Sequence, residues 1–154
     1  RKSDSASIQK WLDRGEAIDA RNGKVAAGQK IYSARQCALC HNGGKALGPS
    51  LSGVAKRFSA TDLFRATVDP SHAIPDRYRA KQVLTSDGEI VMGLVVYESV
   101  DGVTLMASDG HTKRLNVDEI DEMRWSKVSL MPEGLLIGLS DQDVADLLAY
   151  LRSL

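Results

Sequence analysis

Cys37-Ala38-Leu39-Cys40-His41 contains the only two cysteines of the 154-residue chain and one of its three histidines. Two thiols one helical turn apart can add across the two vinyl groups of a porphyrin, giving thioether bonds. The histidine next in sequence is then held under the ring with a nitrogen offered to the iron, and C-x-x-C-H is the spacing of a c-type haem attachment site. Other uses of two cysteines fit less well. A thioredoxin-like redox pair follows a strand in a βαβ setting, whereas Val25-Ala26-Ala27-Gly28-Gln29-Lys30-Ile31-Tyr32 reads as a helix. A structural zinc site needs four ligands with a second closely spaced pair, and His72 and His111 lie far apart. A disulfide across so short a loop would constrain almost nothing.

A haem iron that only carries electrons takes six ligands, and a methionine sulfur opposite the histidine raises the potential relative to a harder ligand. Four methionines are available. Met92 and Met106 lie in alternating, strand-like runs where methionine usually fills a core. Met123 belongs with the acidic stretch Asp118-Glu119-Ile120-Asp121-Glu122, which reads as a solvated turn or short helix. Met131 sits in Ser129-Leu130-Met131-Pro132-Glu133-Gly134, rich in turn residues, and Pro132 restricts it to extended backbone, suiting a loop that passes over a flat ring. Met131 is therefore the expected sixth ligand. His72, giving bis-histidine ligation and a lower potential, is the rival.

Working outward, Ser5 to Ala20 reads as a helix with Ile8, Trp11 and Leu12 at i, i+3, i+4, and Asn22-Gly23 breaks it. A second helix from about Lys24 leads into the cysteine motif. A third follows the capping pattern Ser59-Ala60-Thr61-Asp62 and stops at Pro70. The last begins at Ser140-Asp141-Gln142-Asp143 and places Val144, Leu147, Leu148 and Leu151 on one stripe. Between Pro75 and about Lys127 the period changes. Arg77 to Thr85, Glu89 to Glu98, Val103 to Ala107 and Thr112 to Val117 are β-rich, separated by the hairpin signals Ser86-Asp87-Gly88, Asp101-Gly102 and Asp109-Gly110. A closing strand would include Arg124, Trp125 and Val128. The pattern predicts an antiparallel unit of four or five strands, either a small sheet or a partly closed barrel.

Length and composition are those of a globular protein able to build a core without disulfides: hydrophobic residues make up 43% and charged residues 26%. Lys plus Arg and Asp plus Glu number 20 each. Zero net charge speaks against a nucleic-acid binder, and no run of about 18 apolar residues is present to span a membrane. The charge is polarised, with residues 1–60 holding 11 basic against 4 acidic side chains and the remainder 9 against 16. Such polarity can orient a partner during encounter. The start at Arg1 reads as a processed product or excised segment. Neither a nucleophile elbow G-x-S-x-G nor a phosphate-cradling G-x-x-x-x-G-K occurs.

Residues Gly23 to Pro70 joined to Ser129 to Leu154 resemble a class I cytochrome c, carried by Gly28-x-x-x-Tyr32, Cys37-x-x-Cys40-His41, Leu47-Gly48-Pro49-x-Leu51, Met131-Pro132 and Asp146-Leu147-Leu148-Ala149-Tyr150-Leu151. With its strand-rich insert, the chain looks like a bacterial haem-binding domain often fused to large dehydrogenases. The resemblance implies a mainly α cytochrome c fold with an inserted small antiparallel β unit, α+β overall. The expected division is an N-terminal helical extension (1–22), a cytochrome core (23–75 and 128–154) and the β unit (76–127). It also implies that the first and last helices of the core cross at Gly28, Tyr32 and Tyr150. One covalent haem c would be held by Cys37 and Cys40, its iron ligated by His41 and Met131. The carbonyl of Pro49 would accept the second imidazole N–H. Arg57, Arg77, Arg79 and Trp125 are candidate donors to the haem propionates. The implied activity is one-electron transfer, by a carrier rather than an enzyme or as the electron-transfer domain of a larger oxidoreductase. Its partner would be a dehydrogenase, a reductase or another cytochrome with an acidic docking surface, in the periplasm or another extracytoplasmic space. The alternative is a haem sensor or peroxidase-like domain with a displaceable sixth ligand.

Overall fold

Reciprocal capping starts two of the principal helices. In the computed structural model, which describes residues 5–41 and 47–154, Ser59 Oγ accepts from the Asp62 amide while the Asp62 carboxylate accepts from the Ser59 amide, opening α4 (Ala60–Val68). Ser140 and Asp143 repeat the device at the start of α5 (Asp141–Ser153). Each box satisfies amides that would otherwise lack a helical partner. Upstream lie α1 (Ser5–Gly15), α2 (Val25–Ala34) and the one-turn α3 (Ala38–His41). The first helix stops five residues before the Ala20 expected from its periodicity. Glycine is a poor helix former, and a turn over residues 16–18 leads to a 3₁₀ turn at Ala20–Asn22, capped by the Asp19 side chain.

These helices belong to one of two compact units, residues 1–72 with 132–154. Their core gathers Tyr32, Val54, Leu63, Phe64, Val68 and Leu136 around the α5 stripe Val144, Leu147, Leu148 and Leu151, with Ile8, Trp11 and Leu12 of α1 packed against it. Each fully buried aliphatic side chain contributes roughly 1.5–3 kcal/mol. Helices α2 and α5 pack with their backbones in close approach. A Cβ at Gly28 would collide with the Asp146 carbonyl oxygen and stand 2.8 Å from Tyr150 Cβ. Only glycine lets the two backbones come so near. Beside the crossing, the Tyr32 and Tyr150 rings lie 5.2 Å apart at 58°. The buried Asp146 carboxylate accepts from the Lys24 amide and from Gln142 Nε2, both at 2.8 Å.

The second unit, residues 73–131, is a five-stranded antiparallel sheet in the order β4-β3-β2-β1-β5. Its strands are β1 (Lys81–Thr85), β2 (Ile90–Ser99), β3 (Gly102–Met106), β4 (Thr112–Asn116) and β5 (Ile120–Trp125). Turns at Ser86–Gly88, Asp101–Gly102 and Asp109–Gly110 connect the first four as the sequence predicts. The choice left open between a sheet and a barrel resolves into one five-stranded sheet whose two halves share β2. Residues 90–93 of β2 pair with β1, and residues 94–99 pair with β3. Gly93 sits at the changeover, where a Cβ would lie 2.5 Å from the Met106 carbonyl oxygen. Val83, Val103, Leu105 and Leu115 form a separate small core.

Three strand assignments shift. Asp76–Tyr78 is a 3₁₀ turn, so β1 starts at Lys81 rather than Arg77. The acidic stretch is a 3₁₀ turn only over Val117–Glu119, where the Asn116 amide donates to Glu119. From Ile120 it becomes β5, and Met123 is therefore a strand residue paired with Val83. An exposed edge strand tolerates Asp121 and Glu122 because one side faces water. That strand ends at Trp125, and Val128 lies outside it, its amide donating to Ser126 Oγ.

Candidate functional site

Helix α2 ends in a way that aims the cysteine motif. The Cys37 amide donates to the Tyr32 carbonyl and the Gln36 amide to the Ser33 carbonyl, the paired bonds of a Schellman motif. Gln36 occupies the left-handed position, with φ of 58°, the only non-glycine among the described residues with positive φ. The chain then re-enters a helical turn at once. The Cys37 carbonyl accepts from the Cys40 amide at 3.3 Å and the His41 amide at 3.1 Å. Both thiols and the imidazole are thus carried on one short, internally bonded turn, and all three are half-buried. Burial pushes the Cys37 thiol above the ordinary range, so it is protonated at neutral pH, unlike a reactive thiolate. A helix, not a strand, precedes the motif.

His41 Nδ1 lies 2.8 Å from the Pro49 carbonyl oxygen. A carbonyl only accepts, so Nδ1 carries the proton and Nε2 keeps its lone pair for a metal. Gly48 makes this contact possible: its amide donates to the Cys40 carbonyl at 3.2 Å, and a Cβ there would stand 3.0 Å from His41 Cε1. The loop is braced from behind by Arg57, whose guanidinium donates to the Ser50 carbonyl at 3.1 Å and the Ser52 carbonyl at 3.2 Å. Arg57 thus acts on the backbone that follows Pro49. Two thiols and an imidazole with a free Nε2, presented on one turn, form a donor set that suits a covalently held haem.

The remaining predicted residues are distributed as follows. Met131 is half-buried at the end of the sheet-bearing unit, and its amide donates to Ser129 Oγ at 3.1 Å. His72 is exposed, with Nδ1 3.4 Å from an Arg65 guanidinium nitrogen. Met92 and Met106 are strand residues, and Met92 Sδ accepts from Ser126 Oγ. Arg77, Arg79 and Trp125 belong to the sheet-bearing unit. There the Trp125 ring is flanked by Arg79 at 5.9 Å and Lys81 at 4.9 Å, while Arg77 stacks 5.9 Å from Tyr78. Among the described residues, no three His, Cys, Asp or Glu side chains gather to hold a bare metal ion.

Sequence reasoning missed Gln36, Arg35 and the bracing role of Arg57. Arg35 Nη2 donates to the Ile137 carbonyl across 102 residues of chain, a pairing with no local signal. Gln36 could have been suspected, since α2 must end between Tyr32 and the cysteine turn without a glycine to end it.

Residues 23–85, well under half of the chain, match the family described as cytochrome c oxidase, cbb3-type, subunit III. Members of that family bind covalent haem c, and the match supports a class I c-type cytochrome domain. No curated protein matches the chain. No helix among the described residues is long and apolar enough to cross a membrane.

Proposed function

We propose that this chain, whose residues 23–85 match a c-type cytochrome family, would hold covalent haem c and pass single electrons between redox proteins, with His41 and Met131 as the iron ligands. Haem supplies the one-electron couple between ferric and ferrous iron. Cys37 and Cys40 would hold the ring by thioether bonds, and His41 Nε2 would ligate the metal. The observation that carries the reading is the 2.8 Å contact from His41 Nδ1 to the Pro49 carbonyl. It fixes the ring orientation and the tautomer that presents Nε2, and strengthens that nitrogen as a donor to a metal. Arg57, by gripping the Ser50 and Ser52 carbonyls, limits movement of that acceptor as charge changes at the metal, and small reorganisation favours electron transfer. Met131, restricted to extended backbone by Pro132, is the proposed thioether ligand that closes the sixth position. Two protein ligands leave nowhere for a substrate to bind.

Basic side chains concentrate in residues 1–60, 11 against 4 acidic, so the proposed partner presents an acidic surface, in the periplasm or another extracytoplasmic space. Its association rate should fall as salt rises. The deciding experiment is an intact mass and a carbon monoxide titration of the reduced protein. The expected mass is that of the chain plus one haem, with a spectrum almost unmoved by the gas. A bare-chain mass from a host able to mature such proteins would refute haem attachment. Ready gas binding would refute the closed sixth position and favour a sensor or peroxidase-like role.

A further inference from the structure

The loop between Met131 and α5 is short, folded on itself and tied to the cysteine arm. Within it the Ile137 amide donates to the Gly134 carbonyl at 3.1 Å and the Leu139 amide to the Leu136 carbonyl at 3.0 Å. Gly134 and Gly138 both take φ of +81°, which a chain turning this tightly requires. Leu136 points into the helical core, while the Ile137 side chain faces out. That orientation turns the Ile137 carbonyl toward Arg35, and the guanidinium donates to it at 2.8 Å. Arg35 is the C-cap residue of α2, two positions before Cys37, so its charge also sits favourably beside the carbonyl end of that helix. At the far end of the loop Arg14 makes a similar tie, donating to the Asp141 carboxylate at 2.6 Å and the Leu139 carbonyl at 3.4 Å.

We infer that Arg35 is a positioning residue for the sixth iron ligand: it fastens the segment six residues beyond Met131 to the same arm that carries Cys37, Cys40 and His41. The inference rests on Met131 being that ligand. Burial of Leu136 holds the loop to the core but does not fix its direction, because one apolar side chain can rotate in place. A charge-assisted hydrogen bond to a backbone carbonyl is directional. A loop already held in its bound conformation loses less entropy when its methionine ligates. Releasing the loop therefore makes the methionine easier to displace, without touching His41 or either thioether.

The test uses the matured holoprotein in the ferric state and reads displacement of the methionine by imidazole, followed by loss of the near-infrared methionine-to-iron band. Arg35→Met keeps the apolar stem and removes the guanidinium. Imidazole should bind it roughly tenfold more tightly than wild type, the low end of what a lost charged hydrogen bond produces. Lys30→Ala, which removes an exposed positive charge from the same helix, should leave the affinity unchanged. Arg35→Lys, which retains a donor on a less suitable geometry, should fall between, and it carries the test if Arg35→Met does not mature. Unchanged imidazole affinity in the Arg35 variants, or an equal rise in Lys30→Ala, overturns the inference while the Met131 reading stands. A wild-type protein without the band, or a Met131→Ala variant that keeps it, overturns the ligand reading itself.

Discussion

Replacing Gly28 by alanine should destabilise the protein, although alanine is the better helix former. In an exposed helix the exchange would gain about 1 kcal/mol. Here the new methyl would be driven into the Asp146 carbonyl and held 2.8 Å from Tyr150 Cβ, short of ordinary contact. The obstacle on α5 is backbone, which no rotamer change can clear, so the helices must separate. Separation stretches the Lys24 amide bond to Asp146 and loosens the Tyr32–Tyr150 pair. Overpacking costs about 1–3 kcal/mol, and with rigid backbone as the obstacle the upper end applies. Subtracting the propensity gain leaves a net loss of about 2 kcal/mol. Urea denaturation of the holoprotein followed by far-UV circular dichroism measures it, with Ala26→Gly on the exposed face of α2 as calibration. That control should lose about 1 kcal/mol. The two reasonings predict opposite signs: Gly28→Ala as stable as wild type, or more so, refutes the close approach.

Three further outcomes follow from local geometry. Gln36→Gly should stabilise the protein by about 0.5–1 kcal/mol in the same assay, because it removes a side chain from a left-handed position at the C-terminus of α2. Gly48→Ala should reorient the imidazole of His41, which a Cβ would approach at 3.0–3.1 Å; shifted paramagnetic NMR resonances of the ring would register it, and an unmoved spectrum would count against the contact. The Ser140 hydroxyl and amide hold the Asp143 carboxyl below its ordinary value of 3.8. The stability this gives is fully present above that value and lost as pH falls through the lower folded one. Asp143→Asn should therefore flatten stability against pH below about 4, and an unchanged acid limb in urea titrations would contradict the linkage.

The elements with strong local signals were readable from sequence. Ser59 to Asp62 and Ser140 to Asp143 are capping boxes whose partners lie three residues apart, and both helices start where those boxes place them. Asp-Gly turns marked the first three hairpins for the same reason. Reading failed where tertiary context outweighed local preference. Asp121 and Glu122 are poor strand formers, yet β5 forms through them because Leu84 and Val83 of β1 offer ladder partners to Glu122 and Met123. At the site, the cysteine spacing was visible in five letters. The clamp from Arg57 and the tie from Arg35 to Ile137 join backbone carbonyls that have no side-chain identity, and no residue type announces them.

The route of the chain through the sheet-bearing unit has a consequence for how the helical unit assembles. The Lys24–Asp146 hydrogen bond joins residues 122 positions apart, and a flexible loop of that length is slow to close. The chain, however, enters and leaves the sheet side by side, since the Ser126 amide donates to the Ala80 carbonyl and Lys81 pairs with Trp125. Once that ladder has zipped, some forty-five residues drop out of the loop, worth a few tenths of a kcal/mol in closure entropy. The strands act as a hairpin-like shortcut that returns the thread close to where it departed, so the last helix can find the second one although so much polypeptide lies between them.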